Sequence, residues 1–426
     1  MTKDRWVLFD LDGTLTRSEE GIWNCARYAA QKIGLPEPEQ ATLDRMIGPP
    51  LLFSFQEYMG MTPEQAFAAQ KYYRERYCTV GMFENRVYPG VRTMMRTLKK
   101  AGATLGVVTG KPEYPTRKIL EHFGLDRFLS GVVCARDDAR SEKEHLIREI
   151  LPADCGEAWM VGDRKFDMAG GVLAGIHTLG VSYGYGSEAE LRDAGAERIA
   201  RTPMEIAEIL CPETAPAPGS FISVEGLDGS GKGTQIERLA DTLDRWGFEL
   251  VRTREPGGTP VGEKIREILL DRANTGMTDE TEALLYAASR AQHVREKIRP
   301  AVAAGKVVLC DRYLDSSVAY QGGGRQLGVD RVLGINAPAV DGTAPDITVY
   351  LEIGHREALQ RRCAASEPDR LEMEAESFHA RVEDAYHELI RREPGRFVVA
   401  DATGKREEIA AEIAEKVITR LMEAEK

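Results

Sequence analysis

The sequence predicts an α/β protein made of two successive domains, each a parallel sheet covered by helices. Three observations carry that prediction. Short apolar runs alternate with helix-length segments along the chain, the pattern of strands joined by helical crossovers. A glycine-rich turn of the kind that follows the first strand of a domain, Gly226 to Thr234, lies just past mid-chain. Between the halves runs CPETAPAPGS, Cys211 to Ser220, whose three prolines and small residues make a short, semi-rigid linker.

Composition agrees and narrows the function. A chain of 426 residues has room for two or three cores. Its 42% hydrophobic and 29% charged residues fit a soluble globular protein. A net charge of −12 argues against wrapping nucleic acid but allows a local basic pocket for phosphate. No apolar run approaches the ~18 residues of a membrane span. The start, MTKDRWVLFD, lacks a secretory signal pattern, so no membrane partner is expected. Seven cysteines without a C-x-x-C pair suggest reduced thiols in the cytoplasm, and seven histidines without H-E-x-x-H spacing suggest no zinc site.

The first domain is expected over 1–210. Trp6–Asp10 reads as its first strand and runs into Asp10-Leu11-Asp12-Gly13-Thr14. Further strands are expected at Ala103–Thr109, Gly131–Cys134, Ala158–Val161 and His177–Leu179. Between Thr16 and about Met82 the pattern is helical, as at Ile22–Ile33 and Pro63–Tyr77, with breaks at Gly34-Leu35-Pro36 and Gly48-Pro49-Pro50. That segment, 16–82, reads as a helical cap inserted after the first strand. Ligands of a parallel sheet bind at the carboxyl ends of its strands. Asp10, Asp12, Thr109 and Asp163 fall there, with Asp167 one turn beyond and Lys143 opening the preceding helix. Converging carboxylates repel unless a divalent cation sits among them, and an all-oxygen site suits Mg²⁺. One carboxylate can then attack phosphorus while a second moves the proton.

In that order, D-x-D-G-T, a strand-end threonine, a lysine and G-D-x-x-x-D resemble the haloacid dehalogenase-type phosphatases with a helical cap. The resemblance covers about 1–210. It implies a Rossmann-like sheet, with Asp10 as nucleophile and Mg²⁺ ligand. It implies Asp12 as general acid and base with its backbone carbonyl on the metal, and Asp163 completing the metal shell. Thr109 and Lys143 would hold the transferred phosphate, and Asp167 would support the shell from behind. The Val181-Ser182-Tyr183-Gly184-Tyr185-Gly186-Ser187 stretch looks most like the 5′-nucleotidase and phosphoglycolate phosphatase branch. The substrate would be a phosphate monoester, chosen by the cap. Arg45, beside Gly48, reads as a surface arginine.

The second domain is expected over 220–426, after a linker at 211–219. Phe221-Ile222-Ser223-Val224 is a buried strand entering Gly226-Leu227-Asp228-Gly229-Ser230-Gly231-Lys232-Gly233-Thr234. Glycines there let successive N–H groups face one anion, the helix start adds its dipole, and Lys232 reaches the outer phosphates. Helices are expected at Gln235–Trp246, Val261–Leu270, Glu280–Val302 and Arg406–Met422. Strands are expected at Glu249–Arg252, Lys306–Cys310, Ile347–Leu351 and Phe397–Val399. Arginines recur at strand ends and loops, at Arg254, Arg266, Arg290 and Arg312, and again at Arg361, Arg362 and Arg370. With a phosphate loop they point to two phosphorylated ligands and phosphoryl transfer.

The motifs G-L-D-G-S-G-K-G-T, T-R-E-P-G-G-T and D-R-Y-x-x-S-x-x-A-Y-Q-G resemble bacterial thymidylate kinase over about 219–426. The resemblance implies a P-loop kinase sheet with a lid near 355–371. Gly226, Asp228, Gly229, Ser230, Gly231, Lys232, Gly233 and Thr234 would bind ATP, with Asp228 also near Mg²⁺ and the acceptor phosphate. Arg254, Arg266 and Arg312 would hold the phosphate of dTMP. Tyr286 would stack on thymine, Arg290 would meet the base edge, and Ser317 and Tyr320 would line base and sugar. The loop holds no arginine, so Arg361, Arg362 or Arg370 of the lid would supply the transition-state cation. The lid departs from the family at Cys363-Ala364-Ala365-Ser366, a stretch often richer in arginine. The family suggests a homodimer formed through this half. The chain is thus expected to be bifunctional, with a dTMP kinase and a phosphatase acting on an ester other than dTMP. The alternative is a kinase joined to a binding or regulatory module.

Overall fold

The computed structural model describes residues 5–49, 51–135, 143–363, 370–371 and 373–425. It is an α/β structure dividing into two compact units. The first is Met1–Ala217 with Asp244–Phe248, and the second is Pro218–Leu243 with Glu249–Lys426.

The first unit carries β1 (Arg5–Phe9), β2 (Thr16–Arg17), β3 (Arg86–Val87), β4 (Thr104–Pro112), β5 (Gly131–Ala135), β6 (Glu157–Gly162), β7 (His177–Val181) and β8 (Arg198–Ala200). Six of these form one parallel sheet in the order β5-β4-β1-β6-β7-β8. Val7, Leu8 and Phe9 of β1 are fully buried, because helices cover both faces of a parallel sheet. The chain leaves β1 toward β4 and β5, then returns to β6 on the other side. That reversal opens a crevice at the carboxyl end of β1, where Asp10 lies.

Four helices form the cap: Glu19–Lys32, Gln40–Arg45, Leu51–Glu57 and Pro63–Tyr77. The last begins at a reciprocal cap in which Thr62 and Gln65 satisfy each other's backbone N–H groups. The expectation of a strand-free segment from Thr16 needs correction. The antiparallel pair β2–β3, with Thr16 opposite Val87 and Arg17 opposite Arg86, closes the base of the cap. Strands of two residues are too short to show alternation. β8, also short, is a further strand that the apolar pattern did not mark.

The second unit carries β9 (Ser220–Gly226), β10 (Leu250–Arg254), β11 (Val307–Asp311), β12 (Ile347–Glu352) and β13 (Phe397–Asp401). All are parallel, in the order β10-β11-β9-β12-β13, so the chain again reverses direction around its first strand. The helix Lys232–Arg245 follows β9 directly after the glycine loop. One long helix was expected over Glu280–Val302. The structure instead has Asp279–His293, a wider π-turn at Val294–Ile298, and Arg299–Ala303. Pro300, which has no N–H to give the preceding turn, lies just beyond the irregularity.

Two candidate active sites

At the carboxyl end of β1, Asp10, Asp163 and Asp167 each bring a carboxylate oxygen within 4.8 Å of the others. Lys143, first residue of the helix Lys143–Ile150, lies 2.8 Å from Asp10 Oδ1 and 2.6 Å from Asp167 Oδ1. Asp163 is held from two sides. The Tyr185 N–H donates to Oδ2 at 2.8 Å, and the Thr14 hydroxyl lies 3.3 Å from Oδ1. Gly13, at φ +84°, presses on the same carboxylate, and a Cβ there would stand 2.2 Å from Asp163 Oδ2. Only glycine suits both the backbone angle and the space.

Burial, then the charges of Asp167 and Asp10, push the Asp163 carboxyl up to about 8. Burial also pushes Asp167 up, against the pull of Lys143. Lys143 is raised despite its burial, because Asp10 and Asp167 stabilise its charge. One lysine thus does not neutralise three carboxylates. The missing positive charge and the all-oxygen donor set fit a divalent cation such as Mg²⁺. Asp167 Oδ2 already accepts the Arg164 N–H at 3.1 Å and its Oδ1 is taken by Lys143. Asp163 accepts from the Tyr185 N–H and the Thr14 hydroxyl, and Asp10 from Lys143, so all three carboxylates are candidates to hold a cation.

Asp12 does not join this group through its carboxylate. Its Oδ2 accepts from Lys111 Nζ at 2.6 Å. Thr109, buried in β4, accepts the Lys111 N–H at 3.2 Å through its hydroxyl. Lys111 was not marked from sequence, since a lysine before Pro112 resembles any helix-flanking surface cation. Arg164 was also missed as a contact. It binds Glu190 at 3.1 Å and donates to the Ile47 carbonyl of the cap at 3.2 Å. Arg45, read as a surface residue, packs its guanidinium over the Tyr58 ring at 4.2 Å.

At the carboxyl end of β9 the chain turns through Gly226, Gly229 and Gly231, all at positive φ. A Cβ on Gly229 would stand 2.1 Å from the carbonyl oxygen of Ala358, so the helix His355–Cys363 packs directly on the loop. Lys232 Nζ donates to the carbonyls of Gly226 and Leu227 at 3.1 and 3.0 Å. The Ser230 hydroxyl is buried without a partner among the described residues. Gly231 and Gly233 are exposed, and Thr234 sits in the first turn of the helix. An orphaned hydroxyl, a buried lysine and an open run of glycine N–H groups fit the phosphates of a nucleotide.

Asp228 is the acidic point of this loop. Its Oδ1 accepts from Arg312 Nη2 at 2.5 Å, and its Oδ2 accepts from the Tyr320 hydroxyl at 2.9 Å. Lys232 Nζ lies 3.7 Å away. Burial works against the charge, yet Arg312 and Lys232 hold the Asp228 carboxyl well below the usual range. Lys232 itself is lowered by burial and by Arg312. Arg312 adopts φ +66°, a strained value for a residue with a Cβ. Its N–H bonds the Val224 carbonyl at 3.0 Å, and its Nη1 donates to Ser316 Oγ at 3.0 Å. Ser316 donates on to Glu225 at 2.6 Å. Ser316 is the serine of the D-R-Y-x-x-S motif but was given no role from sequence, and Glu225 was not marked.

The other expected ligand contacts are distributed around this loop. Arg254 pairs with Glu263 at 2.9 Å, and Arg266 donates to the Pro256 carbonyl at 2.9 Å. Arg266 is depressed by burial and by the neighbouring charge of Arg254, so the two cations face a common region. Tyr286 and Arg290 lie one turn apart on the helix Asp279–His293, with Tyr286 half-buried. Arg290 differs from expectation. It is 1% exposed, and its donors go to Glu255, Ser317, Asn336 and the Tyr313 carbonyl. In this structure it braces the wall of the site and offers no open edge to a base. Ser317 is buried as its acceptor. Of the lid arginines, Arg361 binds Glu357 at 2.6 Å and the Ala402 carbonyl at 2.9 Å. Arg370 binds Glu282 at 2.6 Å and the Leu269 carbonyl at 2.9 Å. Residues 364–369 of the expected lid lie outside the described residues.

Each half is therefore a parallel-sheet module with a phosphate-handling site at its central switch point. Comparison with known proteins defines the modules further. A model of the thymidylate kinase family matches residues 224–413, and one of the haloacid dehalogenase-like hydrolases matches residues 7–181. The thymidylate kinase of Halothermothrix orenii is 51% identical over 202 residues, 47% of this chain and 96% of that protein. The thymidylate kinase of Levilactobacillus brevis is 51% identical over 195 residues, 45% of this chain and 91% of that protein. Among solved structures, a predicted phosphatase from Clostridium acetobutylicum is 37% identical, with a TM-score of 0.45, covering 50% of this chain and all of that one. A putative phosphatase from Clostridium difficile is 34% identical, with a TM-score of 0.46, covering 49% of this chain and all of that one. The chain belongs to the thymidylate kinase family through its second half, and its first half matches the model of the haloacid dehalogenase-like hydrolases.

Proposed function

We propose that this chain is a bifunctional enzyme. Its second half transfers the γ-phosphoryl group of ATP to dTMP, giving dTDP, and its first half hydrolyses a phosphate monoester. The observation that carries the proposal is the pair of assembled sites, each at the switch point of its own sheet and each with a charge imbalance suited to its ligand.

In the kinase half, Lys232 and the loop N–H groups hold the ATP phosphates, with the Ser230 and Thr234 hydroxyls beside them. Arg254, Arg266 and Arg312 hold the phosphate of dTMP. Asp228 aligns Arg312 and would support Mg²⁺ beside the acceptor phosphate. Tyr286 stacks on thymine, and Ser317 and Tyr320 line base and sugar. Arg290 acts mainly by fixing Ser317 and Glu255. Arg361 leads the candidates for the lid cation. Transfer is direct, so the work is alignment and charge stabilisation.

In the phosphatase half, Asp10 and Asp163, with the Asp12 backbone carbonyl, would hold Mg²⁺, whose charge would screen the carboxylates from the substrate phosphate. An Asp10 oxygen attacks phosphorus and the ester P–O bond breaks. Asp12 gives its proton to the departing oxygen, and an alcohol leaves. Asp12 then takes a proton from water as that water attacks the aspartyl-phosphate, releasing phosphate and restoring Asp10. Thr109 and Lys143 hold the phosphoryl oxygens. The substrate we favour is another nucleoside monophosphate or phosphoglycolate, since hydrolysis of dTMP would oppose the kinase.

The cytoplasm is the compartment this reading implies, because ATP and dTMP are drawn from its nucleotide pool. A homodimer through the kinase half is supported by Val261, Ile268 and Leu284, apolar yet about half exposed on the helices Pro260–Leu270 and Asp279–His293. Light scattering after gel filtration measures that state. The central experiment is to assay the purified chain for dTDP formation and, separately, for phosphate release from a panel of esters. Preferred hydrolysis of dTMP would falsify the division of substrates. Absence of dTDP would remove the kinase assignment.

A further inference from the structure

Lys111 is a cation of the phosphatase site that the roles above leave unused. It projects from the carboxyl end of β4, and its side chain is only 9% exposed. Its ammonium lies 2.6 Å from Asp12 Oδ2 and 4.9 Å from the centroid of the Tyr77 ring, on the last turn of the cap helix Pro63–Tyr77. Tyr77 is in turn stacked on Tyr73 at 5.4 Å. The other Asp12 oxygen, Oδ1, is buried and has no partner among the described residues, and neither has the Tyr77 hydroxyl. One oxygen of Asp12 is therefore clamped while its twin is left unengaged in the same cleft.

That asymmetry has a chemical meaning. An ammonium has three donors and no acceptor. An oxygen that accepts from it is the poorer place for an acid proton, which would point at another N–H. The proton of a protonated Asp12 belongs on Oδ1. We propose that Lys111 is a positioning residue for the general acid: by holding Asp12 Oδ2 it places the transferable proton on Oδ1, and the Tyr77 ring of the cap keeps Lys111 in that position. The proposal rests on the reading of Asp12 as acid and base given above. The step itself is balanced by groups already named. The Asp10 O–P bond forms, the ester P–O bond breaks, and the Oδ1 proton goes to the departing oxygen.

The test uses the full-length chain and a series of ring-substituted phenyl phosphates. These esters carry no second charge for Lys111 to bind. Phenol is a weaker acid than p-nitrophenol, so its departure depends more on a proton donor. In Lys111→Met, kcat/KM is expected to fall about tenfold or more for phenyl phosphate and less than about threefold for p-nitrophenyl phosphate. Lys111→Arg should recover most of the phenyl phosphate activity. Tyr77→Leu should steepen the dependence on leaving group in the same direction by less. An equal loss across the series, or no loss, overturns the proposal. So does a rise in KM with kcat unchanged across the series, which would make Lys111 a contact of the substrate phosphate. Should Lys111→Met fail to fold by thermal melting, Tyr77→Leu decides, and an unchanged leaving-group dependence there overturns the proposal. If the wild-type chain hydrolyses none of these esters, the phosphatase reading fails and this inference with it. An active wild type whose leaving-group dependence is matched by Lys111→Met removes the inference alone.

Discussion

The carboxyl ends of β1 and β9 are built alike and charged oppositely. At β1 three carboxylates, Asp10, Asp163 and Asp167, converge, and Lys143 pairs with Asp10 and Asp167. At β9 one carboxylate, Asp228, is shared by Arg312 and Lys232. Titration follows the imbalance. Asp163 is pushed up to about 8, chiefly by burial and then by its acidic neighbours. Asp228 is held well down by two cations although burial opposes it. The same sheet architecture thus presents a deficit of positive charge in one place and a surplus in the other. Each imbalance specifies its ligand: a metal cation for the first, phosphates for the second.

The largest test of that contrast is to disable one site and watch the other. Asp10→Asn should lower phosphatase turnover by roughly a thousandfold or more, with dTDP formation unchanged. Lys232→Ala should lower dTDP formation by about a hundredfold or more and spare ester hydrolysis. Loss of both activities in either variant would break the picture of two separate sites. Arg312→Met comes next. It should cut kinase kcat/KM by about a hundredfold. It should also return the Asp228 carboxyl toward its ordinary range, measurable by NMR titration.

Asp163 offers a test in which function and stability move in opposite directions. Its carboxyl titrates near 8 in the fold, against about 4 when unfolded, so the folded chain binds that proton more tightly. Below about pH 4 both states hold the proton and its effect vanishes. As pH rises from there through about 8, stability is lost. In EDTA, Asp163→Asn should therefore melt above wild type at pH 8, by on the order of a few kcal/mol, and match it near pH 4. Mg²⁺ should raise the wild-type melting temperature at pH 8 and leave the variant nearly unmoved. The smallest expected effect is that of Tyr320→Phe. It removes one hydrogen bond to Asp228, worth about 1 kcal/mol, and should cost roughly fivefold in kcat/KM for dTMP.

Strand ends were the legible part of both sites. Asp10 and Asp163 follow buried apolar runs, Thr109 lies near the end of another, and the loop Gly226–Thr234 announces its own backbone. Partners that complete the sites were less visible, for a physical reason. Lys111 meets Asp12 across 99 residues and looks locally like a surface residue, while Ser316, though part of a quoted motif, meets Glu225 across 91 residues and nothing nearby announces that partner. Arg290 shows the opposite error. The family resemblance implied an open base contact, but Glu255, Ser317 and Asn336 lie 35, 27 and 46 residues away and take its donors. Periodicity reports which face of a helix is buried. It does not report what that face is buried against.

The two-residue ribbon at the foot of the cap has one more consequence. Thr16 lies opposite Val87 and Arg17 opposite Arg86, so the chain enters and leaves the cap side by side. The ends of any segment placed there are already joined, and loop closure adds little that depends on its length. The residues between behave as a cassette. A cap transplanted from another hydrolase at those two pairs would leave the sheet and its carboxylates in place. This makes the ribbon the natural cut site for retargeting the hydrolase, provided the new cap keeps an aromatic ring against Lys111 as Tyr77 does.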